Sequence, residues 1–199
     1  LKIQRPGIET IIKADLHIIQ FLLSRALEEF PEIELFDPKG IFSEFHDSIL
    51  SELDFEQEKK NLLRFAKNFT DCTFVKWPNP IENLCTQKII TMDFLDGISI
   101  RNARSENRNM SLIGERYLEI AYSMLFKHGF FHGDLHPGNV LILDDHMIGI
   151  LDCGMIGRLS QDMKSYIASL IYALHRGDSR SVARLFFDIS IKEKRVDFQ

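Results

Sequence analysis

Apolar residues recur at helical spacing over several long stretches of the chain and gather into short runs between them. Ile8, Ile12, Leu16, Ile19, Leu23 and Leu27 step by three or four, which predicts an amphipathic helix over residues 8–29. Ile49, Leu50, Leu53, Leu62, Phe65, Ala66 and Phe69 predict a second over 42–68. Within it, Ser51-Glu52-Leu53-Asp54 reads as a capping box at which the helix starts afresh. Ile113, Tyr117, Ile120, Ala121, Met124 and Leu125 mark a third, stopped by His128-Gly129 as a C-cap. Helical periodicity resumes over 161–174, breaks at Gly177 and returns over 179–187.

The short runs read as strands. Residues 1–4 alternate and close on Arg5-Pro6-Gly7, a turn signal. Phe74-Val75-Lys76 and Lys88-Ile89-Ile90-Thr91-Met92 read as the two strands of one hairpin, looped through Trp77-Pro78-Asn79-Pro80. Residues 140–143 and 147–151 flank Asp144-Asp145-His146 as a tight hairpin. Residues 31–40, with two prolines and a glycine, are expected as a loop, and the polar residues 101–109 as exposed chain. This order predicts an α+β, bilobal fold: a partial N-lobe over 1–96 and a mostly helical C-lobe over 97–199 that carries a hairpin.

Composition narrows the function. With 45% hydrophobic residues in 199, the chain can bury a substantial core. A net charge of −5, from well-mixed acids and bases, excludes the basic stripe a nucleic-acid surface needs. The one dense cationic run, residues 192–195, reads as a solvated end. Cys72, Cys85 and Cys153 form no metal-type pair, and an odd count fits a reducing compartment. No run of 18 apolar residues is present to span a bilayer. The chain opens in mid-strand without an initiator Met, which predicts a fragment of a longer protein.

The chemistry concentrates in His132-Gly133-Asp134-Leu135-His136-Pro137-Gly138-Asn139 and in Asp152-Cys153-Gly154. An Asp and an Asn five apart, then an Asp before a glycine, is the spacing with which kinase-like enzymes set a proton acceptor and two Mg²⁺ ligands around a nucleotide triphosphate. Asp134 can accept a hydroxyl proton or orient water; Asn139 and Asp152 offer the hard oxygens that Mg²⁺ requires. His128, His132 and His136 are four apart, but Gly129, Gly133 and Pro137 break any helix that would gather them on a metal. His132 is expected instead as a buried structural histidine bonded to backbone. A lysine in the cleft, Lys2, could neutralise phosphate charge, with Glu58 as its carboxylate partner. Backbone groups near Met92, Asp93 and Leu95 are placed to meet an adenine edge.

With these residues quoted, the chain resembles the ABC1/UbiB (AarF, ADCK) family of atypical kinases. The likeness is carried by Lys2-Ile3-Gln4-Arg5-Pro6-Gly7, by Glu52-Leu53-Asp54-Phe55-Glu56-Gln57-Glu58 with Asn61, and by the two acidic motifs, and it runs over nearly the whole chain. The resemblance implies a protein-kinase-like fold, ATP and Mg²⁺ as cofactors, and a phosphotransferase or ATPase serving ubiquinone or other prenyl-lipid synthesis. Its implied partners are a prenyl lipid or quinone precursor, a membrane surface and quinone-biosynthesis proteins, and its implied location is cytoplasmic and membrane-associated, or organellar in a eukaryote. It makes Lys2 the nucleotide lysine, Glu58 its helix partner, Asp134 the catalytic aspartate, Asn139 and Asp152 the metal ligands, and Glu52 and Asp54 the Glu-x-Asp motif. That motif is expected to contact a Lys-x-Gly-Gln segment; neither this segment nor an alanine-rich nucleotide loop occurs in the 199 residues.

Cys153 stands where the resembled family usually has a phenylalanine, which weakens the expected apolar packing behind the metal aspartate. Other positions depart from protein kinases: Gly133 replaces the arginine of His-Arg-Asp, His136 replaces a lysine two past the aspartate, and no Ala-Pro-Glu segment follows. These favour hydrolysis of ATP, or phosphorylation of a small molecule or lipid, over phosphorylation of protein. Two alternatives stay open: a phosphotransferase of the aminoglycoside or choline kinase type, and a nucleotide-binding pseudokinase scaffold.

Overall fold

The computed structural model describes residues 1–193; residues 194 and 195 of the cationic run lie outside them. Strand β1 (Lys2–Ile3) leads through Gly7, at φ +77°, into helix α1 (Ile8–Glu29). The stretch expected as a loop is helical instead. A 3₁₀ turn covers Pro31–Phe36, and helix α2 (Pro38–Ser51) starts directly after it. Proline is tolerated in a first helical turn because its missing N–H has no intrahelical partner there. Asp37 caps α2 by accepting from the Gly40 amide at 3.2 Å.

Helix α3 (Phe55–Asn68) restarts as expected, but its cap lies three residues later than the capping box predicted. Asp54 accepts from Glu56 N at 3.0 Å, while the Ser51 hydroxyl donates back to Ser48 O at 2.7 Å. The two short runs that follow do not form one hairpin. Strand β2 (Val75–Lys76) pairs in parallel with a later strand, and β3 (Ile89–Ile90) pairs antiparallel with β1, Lys2 lying opposite Ile90. Residues 91–93 bond instead to the intended loop: Ile81 N donates to Thr91 O at 2.8 Å and Asp93 N to Asn79 O at 3.0 Å. Trp77 explains the difference. It is buried and stacks on Phe65 of α3 at 4.4 Å, so the segment is drawn into the core rather than left at a loop tip.

Beyond β4 (Ile98–Ser99), α4 (Ile100–Ala103) and α5 (Met110–Tyr122), a wide helical turn over Ser123–His128 ends at Gly129, whose φ of +58° supplies the left-handed C-cap. Strands β5 (Phe130–His132), β6 (Val140–Ile142), β7 (Ile148–Ile150) and β8 (Ile156–Arg158) precede helices α6 (Gln161–His175) and α7 (Ser179–Glu193). The β6–β7 hairpin is as the sequence predicts, with Val140 opposite Ile150. It forms the centre of a four-stranded sheet in the order β2-β7-β6-β4.

The contacts divide the chain into two compact units: residues 1–120 with 132–156, and 121–131 with the chain from 157 onward. The core of the first gathers Leu62 and Phe65 of α3 with Ile90, Val140, Ile142, Ile148 and Ile150, each at most 1% exposed. Each such side chain contributes about 1.5–3 kcal/mol through burial. In the second, α6 and α7 pack on each other around Ala173. Among the described residues no helix is long and apolar enough to cross a membrane.

Candidate functional site

Strand β1, helix α3 and the segment after β7 bring three charged side chains to one point. Lys2 Nζ lies 2.9 Å from Glu58 Oε2 and 2.9 Å from Asp152 Oδ1. Alternation along β1 turns Lys2 to one face and leaves Ile3 outward. The strongly amphipathic register of α3 turns Glu58 inward, to 2% exposure, beside Asn61, Leu62 and Phe65. Asp152 follows β7 at φ +53°, a left-handed conformation that is costly for a residue with a Cβ and that aims its carboxylate at Lys2. The Phe55 ring lies 5.1 Å below the ammonium and adds a cation–π contact.

Burial and charge compete at each group. Burial pulls the Lys2 ammonium down, but the hydrogen bonds and charges of Glu58 and Asp152 outweigh it, and its pKa stands above the ordinary value. For Glu58 burial wins: its carboxyl is raised despite Lys2, with Asp152 adding repulsion. Glu52 remains solvent-accessible, yet the protein around it and the charges of Asp152 and Asp134 raise its carboxyl as well.

Lys2, Glu58 and Asp152 stand at one side of a cleft of about 390 Å³ that also takes in Met92, Asp93, Leu95 and Asn139. Its apolar walls come from Leu141 of β6 and Leu151 after β7. Seven of the residues singled out in the sequence thus line one cavity. The other three do not line it. Asp134 sits beside it, where Asn139 Nδ2 donates to the Asp134 carbonyl at 3.1 Å and His136 Nε2 lies 3.5 Å from Asp134 Oδ2. Asp54 is occupied as the cap of α3. Glu52 faces the acidic pair electrostatically without lining the cavity.

His132 is the buried structural histidine expected, 4% exposed. The Asp134 amide donates to its Nδ1 at 3.0 Å, so the ring proton is on Nε2, which donates to Leu151 O at 3.2 Å. This ring joins the segment before Asp134 to the one before Asp152, and burial lowers its pKa. Reasoning from sequence missed the cleft walls Leu141 and Leu151; their alternation with the buried Val140, Ile142 and Ile150 was the available signal. It also missed what Asn61 does: Nδ2 donates to Cys153 O at 2.9 Å. The one signal was a polar residue on the apolar stripe of α3.

The arrangement can seat a polyanion. A cation, two carboxylates and an amide side chain line one partly apolar cleft, and Asp152 and Asn139 can offer oxygens to a hard divalent ion.

Comparison with known proteins identifies the family and the fold. The model of the ABC1 atypical kinase-like domain matches residues 1–186. The chain is 36% identical over 99% of its length to the "Uncharacterized protein in hydrogenase 1 5'region" of Clostridium pasteurianum, covering 37% of that protein. It is 32% identical over 94% of its length to the "Probable protein kinase UbiB" of Vibrio vulnificus, covering 36% of it. The chain therefore spans little more than a third of these relatives. A solved structure of the Rv3197–erythromycin complex from Mycobacterium tuberculosis superposes with a TM-score of 0.71 over 92% of this chain and 46% of that one, at 23% identity, a likeness of fold. This chain belongs to the ABC1 atypical kinase-like family, and its mixed α+β fold is kinase-like.

Proposed function

We propose that this ABC1-family chain binds ATP with Mg²⁺ in the cleft and transfers the terminal phosphoryl group to water or to a small-molecule or lipid hydroxyl, in support of ubiquinone or related prenyl-lipid synthesis at a membrane surface. The observation that carries the reading is the placement of Lys2 Nζ, held at once by Glu58 and Asp152 beside a half-apolar cavity. An ammonium so held meets phosphate oxygens without first having to be ordered. The adenine would rest between Leu141 and Leu151, with its polar edge on backbone groups near Met92, Asp93 and Leu95. The division into an N-lobe over 1–96 and a C-lobe from 97 belongs to the same proposal.

Asp152 and Asn139 would hold Mg²⁺, which would supply positive charge to offset that of the phosphates. The chain's own residues do the rest. Asp134 orients the attacking hydroxyl or water and accepts its proton; the backbone bond from its amide to His132 holds it in place. Lys2 stabilises charge that accumulates on phosphate oxygens, and Glu58 keeps it extended into the cleft. Glycine at 133, histidine at 136 and the lack of an Ala-Pro-Glu segment support an acceptor other than a peptide, although relatives carry protein-kinase names. The prenyl-lipid connection is supported by family membership alone.

Asp152→Asn is expected to lower Mg²⁺-dependent ATP affinity about a hundredfold, the scale for losing a charged ligand at a metal–phosphate site. Isothermal titration with and without Mg²⁺ reads it. Unchanged affinity in that variant would remove Asp152 from the metal, and phosphate transfer to generic peptides but not to prenyl-quinone precursors would overturn the acceptor class.

A further inference from the structure

Three neutral hydrogen bonds converge on residues 151–153, two from the motif at 132–139 and one from the distant helix α3. Leu151 N donates to Asn139 O at 2.8 Å, His132 Nε2 donates to Leu151 O at 3.2 Å, and Asn61 Nδ2 donates to Cys153 O at 2.9 Å. The first two arise within the motifs already described. The third comes from α3, the helix that also carries Glu58, three positions earlier on the same face.

Asn61 is 2% exposed, and its remaining oxygen accepts from Gln57 Nε2 at 3.0 Å. Cys153 is fully buried, so water cannot replace the donor that its carbonyl would lose. In protein kinases a phenylalanine stands at this position, and its packing sets active and inactive arrangements. Here the side chain is a thiol, and a neutral buried amide joins helix and segment through the backbone. That bond needs no charge, so neither salt nor arriving phosphates weaken it.

We infer that Asn61 is a positioning residue that fastens α3 to the Asp152 segment, so that Glu58 and Asp152 keep their spacing around Lys2 before and after ligand arrives. The Lys2 bridge must loosen when phosphates and a cation compete for its partners; the Cys153 backbone also bonds to the Glu58 carboxylate, but of the links between α3 and the segment the Asn61 bond is the one that involves no charge. The site is therefore assembled in advance, not switched by movement of α3. The inference rests on the nucleotide reading above in what it says of the metal, but not in what it says of the ligand-free backbone.

The test uses Asn61→Ser and Asn61→Asp, the first retaining a shorter donor and the second nearly the same shape with a carboxyl in place of the amide donor, with Gln57→Ala as the control that leaves the Cys153 carbonyl bonded. Hydrogen exchange on the ligand-free protein is expected to show the Leu151 and Gly154 amides exchanging at least tenfold faster in Asn61→Asp, less so in Asn61→Ser, and unchanged in Gln57→Ala. Titration is expected to raise the half-saturating Mg²⁺ for ATP binding about tenfold in Asn61→Asp, with metal-free ATP affinity within twofold. Wild-type exchange at residues 151–154 in both Asn61 variants overturns the inference. So does an equal loss of affinity with and without Mg²⁺ in step with a general loss of stability, which a merely structural role would give. If Asn61→Asp does not fold, Asn61→Ser alone decides by the exchange readout. If the wild-type protein binds no ATP, the nucleotide reading fails while the exchange result still judges Asn61.

Discussion

Helix α3 turns Glu58 and Asn61 inward, to 2% exposure each, whereas helix α1 leaves Ile11, Ile18, Phe21 and Leu22 more than half exposed. The two helices come from similar periodic patterns, yet one buries polar groups and the other displays apolar ones. The difference lies in what each face meets. An unpaired polar group in a core costs several kcal/mol, so Glu58 and Asn61 stay buried because Lys2 and the Cys153 carbonyl, from remote parts of the chain, complete them. On α1 only Leu16 is buried, and the helix packs chiefly against the 3₁₀ turn over Pro31–Phe36 and against α2. A buried polar side chain with a specific distant partner therefore marks the site, while an exposed apolar one marks nothing by itself.

The comparison breaks most sharply at Lys2. Lys2→Met leaves Glu58 buried without its cation and should cost about 2 kcal/mol in urea unfolding at pH 7, the scale of a hydrogen bond to a charged group. The same variant should recover stability on acidification. A carboxyl whose folded pKa is raised destabilises the fold when ionised, so stability lost as pH rises through the folded pKa returns as pH falls back toward the ordinary carboxylate range. A variant whose unfolding midpoint is flat between pH 7 and 5 would contradict the burial account of Glu58.

A smaller effect is expected from His132, buried neutral with its pKa lowered. A base with a depressed folded pKa contributes stability above its unfolded value, near 6.5, and loses it as pH falls below that value. Acidification from pH 7 to 5 should lower the melting temperature of wild type more than that of His132→Gln. Equal slopes would show that His132 does not carry the acid sensitivity. The smallest effect is on the exposed face of α1, where Ile18→Ser should change unfolding free energy by less than about 0.5 kcal/mol. A loss of 2 kcal/mol there would mean that this face is covered in solution.

Much of this was legible along the chain. The limits of α1, α6 and the β6–β7 hairpin follow from periodicity and turn residues, since both report on a few successive positions. The motif at 132–139 and the acid at 152 could be read together because one short hairpin separates them. Expectation failed where the competing contact was distant. Residues 74–76 and 88–92 look like neighbours, but Trp77 docks on Phe65 and β2 is claimed by β7, over seventy positions away. Residues 31–40 look like a loop because proline and glycine are read as breakers, while the place of Pro31 and Pro38 in a first helical turn reverses that meaning.

By itself the amino-acid order determined which side chains could hold phosphate and cation, for that depends on residue chemistry and short-range spacing. The pairing of Lys2 with Glu58 across 56 positions was expected, but only the folded chain decided that Lys2 also meets Asp152 across 150 and that Asn61 reaches the backbone of Cys153 across 92. Such pairings are selected by which elements bury the most apolar surface with the fewest unpaired polar groups. That selection is made by the whole core at once, and no local stretch of sequence contains it.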